Sequence, residues 1–277
     1  MDSKYYNRFS QDYDSLFINN ITEFQKKKNE SGITKEYYVN FYPSFGIKEH
    51  CHTDILIYGQ AVNGWKSGFD LSEIYDQEKL ETSVMASNDF YKEENHSPLD
   101  WVNARWSKSI FDENCEDELS KEFYKGTYFS YRSFFWNVAF KLISDYHGFE
   151  RASWNWSKNL VWSNLYKIAP EDTNPNVYDR NLQLPTSIEL VRKELEELKP
   201  KICIVLTNLE WWLPFQEGLK STKINIEQLE ENIVSVEKYN GTNIIVTKRP
   251  RIGNSNKFVE KILKTIKILA SDVHKQH

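Results

Sequence analysis

Cysteine, glycine and proline are all scarce in this 277-residue chain, and each scarcity excludes something. The three cysteines, Cys51, Cys115 and Cys203, are odd in number and widely spaced, so they outline no disulfide framework. They read as reduced thiols, as expected of a cytoplasmic protein. Ten glycines and eight prolines are about half the usual combined usage of roughly 12%, which excludes collagen-like and linker-rich chains. No apolar run approaches the roughly 18 residues that span a bilayer, so no membrane partner is expected. The start, Met1-Asp2-Ser3-Lys4-Tyr5-Tyr6, lacks the apolar core of a signal peptide. A basic surplus is missing too. Lys and Arg total 35 against 40 Asp and Glu, a net charge of −5, whereas a dedicated nucleic-acid binder normally carries positive excess. A local basic patch remains compatible with that total.

What the chain has in quantity is aromatic side chains, 15% of residues, enough to fill a core and still supply flat faces for a ligand such as a base. The length suits one large domain with a real core and no need of a disulfide or metal staple. No repeat is visible. Residues 10–28 read as a helix with Tyr13, Leu16, Phe17 and Phe24 on one face, Ser10 as cap, and Lys26-Lys27-Lys28 as solvated cations at its C-terminus. Short apolar runs predict buried strands at Asp54–Tyr58, Asn159–Ser163, Lys201–Leu206, Ile233–Val236 and Asn243–Thr247, the last two joined at Asn240-Gly241. Helices are expected over 72–94, from Ser97-Pro98, over 130–146, from a capping box at Thr186–Glu189 to about Leu198, and from Ser255 onward. Pro170, Pro175 and Pro185 fall in a loop. This order predicts one α/β domain over 1–277, a three-layer α/β/α sandwich with a mostly parallel central sheet. Residues 1–50 form a helical lead-in, and 66–130 an insertion over the ligand edge.

Three loops follow strands and converge at the C-terminal edge of such a sheet, where α/β folds bind ligands. Gly59-Gln60-Ala61-Val62-Asn63-Gly64-Trp65 offers glycines for close backbone approach and an indole face. Asn164 ends a buried strand, and a buried amide needs partners; its donor and acceptor match the edge of a uracil ring. Lys248-Arg249-Pro250-Arg251-Ile252-Gly253-Asn254-Ser255 sets three cations before a helix N-terminus, a site for phosphate or a departing base anion. Other features read as bland. His50-Cys51-His52 lacks a second pair with zinc spacing, so no metal is expected. Asp112–Glu118 reads as a solvated face. No P-loop, G-x-S-x-G elbow or H-E-x-x-H is present, and no cofactor is expected.

In their order, the three loops resemble the uracil-DNA glycosylase superfamily. There a G-Q-D-P-Y or G-E-A-P-G loop follows the first strand, a later strand ends in the Asn that reads uracil, and an H-P-S motif near the end polarises the base and holds phosphate. The counterparts here are Gly59-Gln60-Ala61, Trp162-Ser163-Asn164-Leu165 and Arg249-Pro250-Arg251. Gly59-Gln60 with Asn63-Gly64-Trp65, together with Ser133-Phe134-Phe135-Trp136, is similar to a divergent bacterial branch whose loop reads G-Q-E-T-N-G-W. The resemblance covers roughly residues 50–270. It implies the superfamily's fold, DNA or a nucleotide as partner, and hydrolysis of a damaged base from DNA. Asn164 would read the base, Trp65 or a neighbour such as Tyr166 or Trp211 would stack on it, and Arg251 and Ser255 would hold phosphate. Two departures weaken or redirect the activity: Ala61 stands where the acid belongs, leaving Asn63 to orient water, and Arg249 replaces the His. The alternative is a nucleotide- or modified-base-binding protein of the same fold without hydrolysis. A weaker option is a protein-contact role, with Trp211-Trp212 as an exposed patch.

Overall fold

The computed structural model describes residues 9–32, 37–46, 54–61, 65–88, 99, 102, 132–150, 155–251 and 253–273. The fold is mixed α/β. The central strands are β3 (Ile55–Gly59), β5 (Val161–Asn164), β7 (Ile202–Val205) and β10 (Thr242–Thr247). They lie in the order β5-β3-β7-β10, all parallel. Each is buried along its whole length, apart from Asn243 in β10, which is why these segments read as unbroken apolar runs.

Three antiparallel strands complete a seven-stranded sheet: β2 (Ser44–Phe45) beside β5, and β9 (Ile233–Tyr239) and β8 (Thr222–Lys223) beyond β10. Parallel and antiparallel pairings are therefore equal in number, and the expected mostly parallel sheet holds only for its centre. The β9–β10 hairpin turns at Asn240 and Gly241, both at positive φ, the twist a tight two-residue hairpin requires. A second sheet, absent from the sequence reading, is built from β4 (Gly68–Asp70), β1 (Tyr37–Asn40) and β6 (Ile168–Pro170). The lead-in thus supplies strands to both sheets, and the start of the expected insertion builds an edge of the smaller one.

Alternate residues of the central strands feed two separate cores. Leu56, Tyr58, Cys203, Val205, Ile244 and Val246 pack with α1 (Gln11–Glu30), α5 (Val177–Leu198) and α6 (Leu209–Leu219). Ile55, Ile57, Ile202, Ile204 and Ile245 pack with α3 (Phe134–His147), α4 (Asn155–Lys158) and α7 (Ser255–Val273). Helices therefore cover both faces of the large sheet. Helix α2 (Gln77–Ser87) is shorter than the expected 72–94, and Asp76 caps it.

Several boundaries differ from expectation for physical reasons. α5 starts ten residues before the expected capping box, at the Asn176 cap, and runs through Pro185. Its first two turns are anchored by the buried Lys28–Asp179 pair (2.9 Å) and by Gln183, which exchanges hydrogen bonds with the backbone of Ile168. These ties offset the backbone bond a proline removes. Lys28 is accordingly buried, not a solvated helix-end cation. α3 ends as expected at Gly148, in the left-handed conformation. The expected helix start at Ser97-Pro98, the acidic run 112–118 and the segment 50–52 lie outside the described residues.

Candidate functional site

The C-terminal edge of the sheet is where a fold of this class takes its ligands. From β3 the chain passes Trp65, which packs against the core carrying α3, before β4 and α2 return to the other core. From its neighbour β7 it leaves toward the face carrying α6.

A row of side-chain amides lines that edge. On β5, Asn164 is 2% exposed, and its Nδ2 is buried with no hydrogen-bond partner among the described residues. It stands in register with Gly59 on β3. A Cβ at position 59 would collide with Asn164 Oδ1, so the glycine makes room for the amide. Next along the edge, the buried Gln60 donates from Nε2 to the Thr207 carbonyl across 3.2 Å, tying the β3 loop to the β7 loop. The third amide, Asn208, accepts on Oδ1 from the backbone N–H of Arg249 and ties the β7 loop to the β10 loop. Asn208 has φ 102° and ψ 158°, a region nearly confined to glycine. Its N–H donates to the Thr247 carbonyl at 3.1 Å, and its own carbonyl accepts from Thr207 Oγ1, also at 3.1 Å. These bonds hold the strained conformation.

Beneath Asn164 lies a second polar layer. Lys167, fully buried, donates to the Asn164 carbonyl (2.5 Å) and to Ser163 Oγ (2.7 Å), and pairs with Glu194 at 2.6 Å. Glu194 also accepts from the hydroxyls of Tyr13 and Tyr58, each at 2.7 Å. Burial lowers the Lys167 pKa, with Glu194 opposing. Burial raises both tyrosines well above their usual range, and the Glu194 charge adds to the effect. The layer fixes the strand end from below and leaves Nδ2 of the amide uncommitted.

The expected residues divide into three groups. Gly59, Gln60, Ala61 and Asn164 come together at this edge. Trp65 is half-buried and packs edge-on against Phe41 (5.0 Å) and Trp162 (5.4 Å), with Trp136 4.7 Å from Trp162. Asn63 lies outside the described residues. Arg249, Arg251 and Ser255 follow β10, three strand spacings or about 14 Å from Asn164. Both arginines are exposed. Ser255 Oγ accepts from Lys141 of α3 at 2.7 Å, which adds a cation to this loop. Asn254 caps α7 through the N–H groups of Asn256 and Lys257.

One stacking candidate and the expected exposed patch differ from expectation. Tyr166 is buried against Trp211 and Phe215 and presents no free face; burial pushes its hydroxyl up to about 12. Trp212 is fully buried, its indole N–H donating to Glu237 at 3.0 Å, so Trp211-Trp212 is not an exposed patch. Only Trp211 reaches the surface, and the Arg180 guanidinium lies 4.4 Å over its ring. Sequence reasoning missed Asn208, Lys141 and Arg180. For Asn208 a signal existed, since Thr207-Asn208 is a polar pair at the end of an apolar strand, as Asn164 is.

Among known proteins, no family model matches the chain, and no curated protein matches it. No helix among the described residues is long and apolar enough to cross a membrane. Cys203, the one cysteine among the described residues, is buried and free.

Proposed function

We propose that this chain is a uracil-DNA glycosylase-like protein, a three-layer α/β/α sandwich of that type, which takes a base at the C-terminal edge of the sheet and hydrolyses its bond to the DNA sugar weakly or on an altered substrate. The observation that carries this reading is Asn164, a buried strand-end amide whose donor has no partner among the described residues. An unmet buried donor costs about 1–3 kcal/mol, and a ligand acceptor removes that cost. The carbonyl of a pyrimidine ring is such an acceptor. Glycosylases and related enzymes read a flipped base by hydrogen bonds to its edge within a snug pocket.

The resemblance supplies the roles of the other residues. Trp65 stacks on the base, Arg249 stabilises the leaving base anion, Asn63 orients water, and Arg251 and Ser255 hold phosphate. One preorganised donor of this kind supplies about 3–4 kcal/mol of charge stabilisation. Gln60 is tied to the Thr207 carbonyl, and Ala61 has no proton to move. That pair of facts favours a second reading, binding of a nucleotide or modified base without hydrolysis.

The test is incubation of the protein with single- and double-stranded oligonucleotides carrying one uracil, followed by alkaline cleavage of abasic sites. Cleavage that disappears in Asn164→Ala supports excision. No cleavage at high protein concentration, with calorimetric binding of free uracil or nucleotide lost in the same variant, supports the binding protein. Neither cleavage nor binding overturns both.

A further inference from the structure

Arg180 is the fourth residue of α5, at the same edge of the sheet as Asn164, because α5 descends from that edge to the start of β7. Its guanidinium covers the Trp211 indole, and Trp211 in turn meets Tyr166, two residues after Asn164, at 5.7 Å. Tyr166 itself is buried, so Arg180 and Trp211 form a corner of their own on the α1–α5–α6 side of this edge.

Three observations mark the charge of Arg180 as unspent. It has no ion pair among the described residues. Its Nε is buried without a hydrogen-bond partner among the described residues, a costly state for a donor. It also stands in the first turns of a helix, where the dipole already places positive potential and disfavours a cation. Asp179, the acid of that turn, is buried and bound to Lys28. Beside Arg180, one turn back, Val177 is 62% exposed, so solvent and ligand reach this corner.

We propose that Arg180 and Trp211 form a strand-holding subsite, in which the guanidinium takes a backbone phosphate and the indole edge takes the base of a nucleotide flanking the one read at Asn164. The ligand class is single-stranded nucleic acid. A guanidinium suits phosphate through its planar fork of donors. Aromatic faces with neighbouring arginines are how sequence-tolerant single-strand binders hold successive nucleotides. The subsite lies on the α5–α6 face, opposite the Arg249–Ser255 loop on the α7 side, so a strand held by both crosses the C-terminal edge of the sheet. The inference rests on the base-reading role of Asn164 only for which nucleotide is neighbour to which.

The experiment measures anisotropy of a labelled oligothymidylate, free of uracil, over a series of KCl concentrations, alongside calorimetry with free uracil. Arg180→Met is expected to weaken oligonucleotide binding about tenfold and to flatten the slope of log K against log salt by about 0.7, the value of one phosphate contact on a single strand. Arg180→Lys, which keeps the charge and controls for folding, restores the slope. Trp211→Leu weakens binding by a similar factor, and Trp211→Phe recovers most of it. Free uracil binding stays unchanged in all four and is lost in Asn164→Ala. Wild-type binding of the oligonucleotide by Arg180→Met and Trp211→Leu, or no binding by the wild type itself, overturns the subsite. Unchanged uracil binding by Asn164→Ala overturns the base-reading role and leaves the subsite standing.

Discussion

Lys167 and Glu194 meet at 2.6 Å with neither side chain exposed to water, directly under the strand end that presents Asn164. Two buried charges are tolerable only as a satisfied set, and the hydroxyls of Tyr13 and Tyr58 and Ser163 Oγ complete this one. Removing the cation alone strands the carboxylate. Lys167→Met should therefore lose about 3–5 kcal/mol of stability in urea unfolding. The double variant Lys167→Met/Glu194→Gln should recover much of it. A double variant as unstable as the single would show that packing, not charge, is at stake.

Gly59 is small for the sake of Asn164. Gly59→Ala places a methyl where Asn164 Oδ1 lies, and the amide must move. The expected result is a folded protein, judged by circular dichroism, whose uracil binding or excision falls at least tenfold. Full retention of activity would separate the amide from the function.

The strained Asn208 permits an opposed pair of variants. Asn208→Gly loses the side-chain bond to the Arg249 N–H and gains relief of a conformation that costs about 1–3 kcal/mol. Asn208→Ala loses the bond and keeps the strain. Thermal unfolding should rank glycine at or near wild type and alanine clearly below both. The reverse order would mean that the backbone relaxes when the amide is gone.

Alkaline stability should have a two-stage decline. Burial raises the Cys203 thiol well above its ordinary 9.0, and Tyr13 and Tyr58 well above 10.0. The native protein keeps these protons while the unfolded chain loses them, so stability is intact below pH 9 and falls as pH rises past each ordinary value. Lys167, whose native pKa is lowered, works in the opposite direction up to about its ordinary 10.5. Each group contributes a slope of up to about 1.4 kcal/mol per pH unit. Cys203→Ala should flatten the first stage, between pH 9 and 10, when stability is measured by denaturant at each pH. An unchanged slope there would acquit the thiol.

The centre of the fold was legible because β3, β5, β7 and β10 are buried on both faces and therefore read as apolar runs. The short strands β1, β2, β4, β6 and β8 span two to four residues, too few to show a period, and most of their partners lie far along the chain. Pro185 hid the first turns of α5, since the ties that offset it, Lys28 to Asp179 and Gln183 to Ile168, join separate segments. The site followed the same division. Gly59 and Asn164 were visible as polar or small residues ending apolar runs. Arg180 was not, because its meaning comes from Trp211, thirty-one residues away.

The packing of Trp65, Trp136 and Trp162 at centroid separations near 5 Å makes these indoles a single optical unit. Light absorbed by one ring is shared among all three before it is emitted, so the memory of its polarisation is lost within the cluster. Trp65 follows β3 shortly after Gly59, at the edge where Asn164 lies. A ligand that displaces this ring will decouple the set, and the depolarisation and near-ultraviolet dichroism of the unlabelled protein will register the event. The protein thus carries its own reporter at the edge of the sheet.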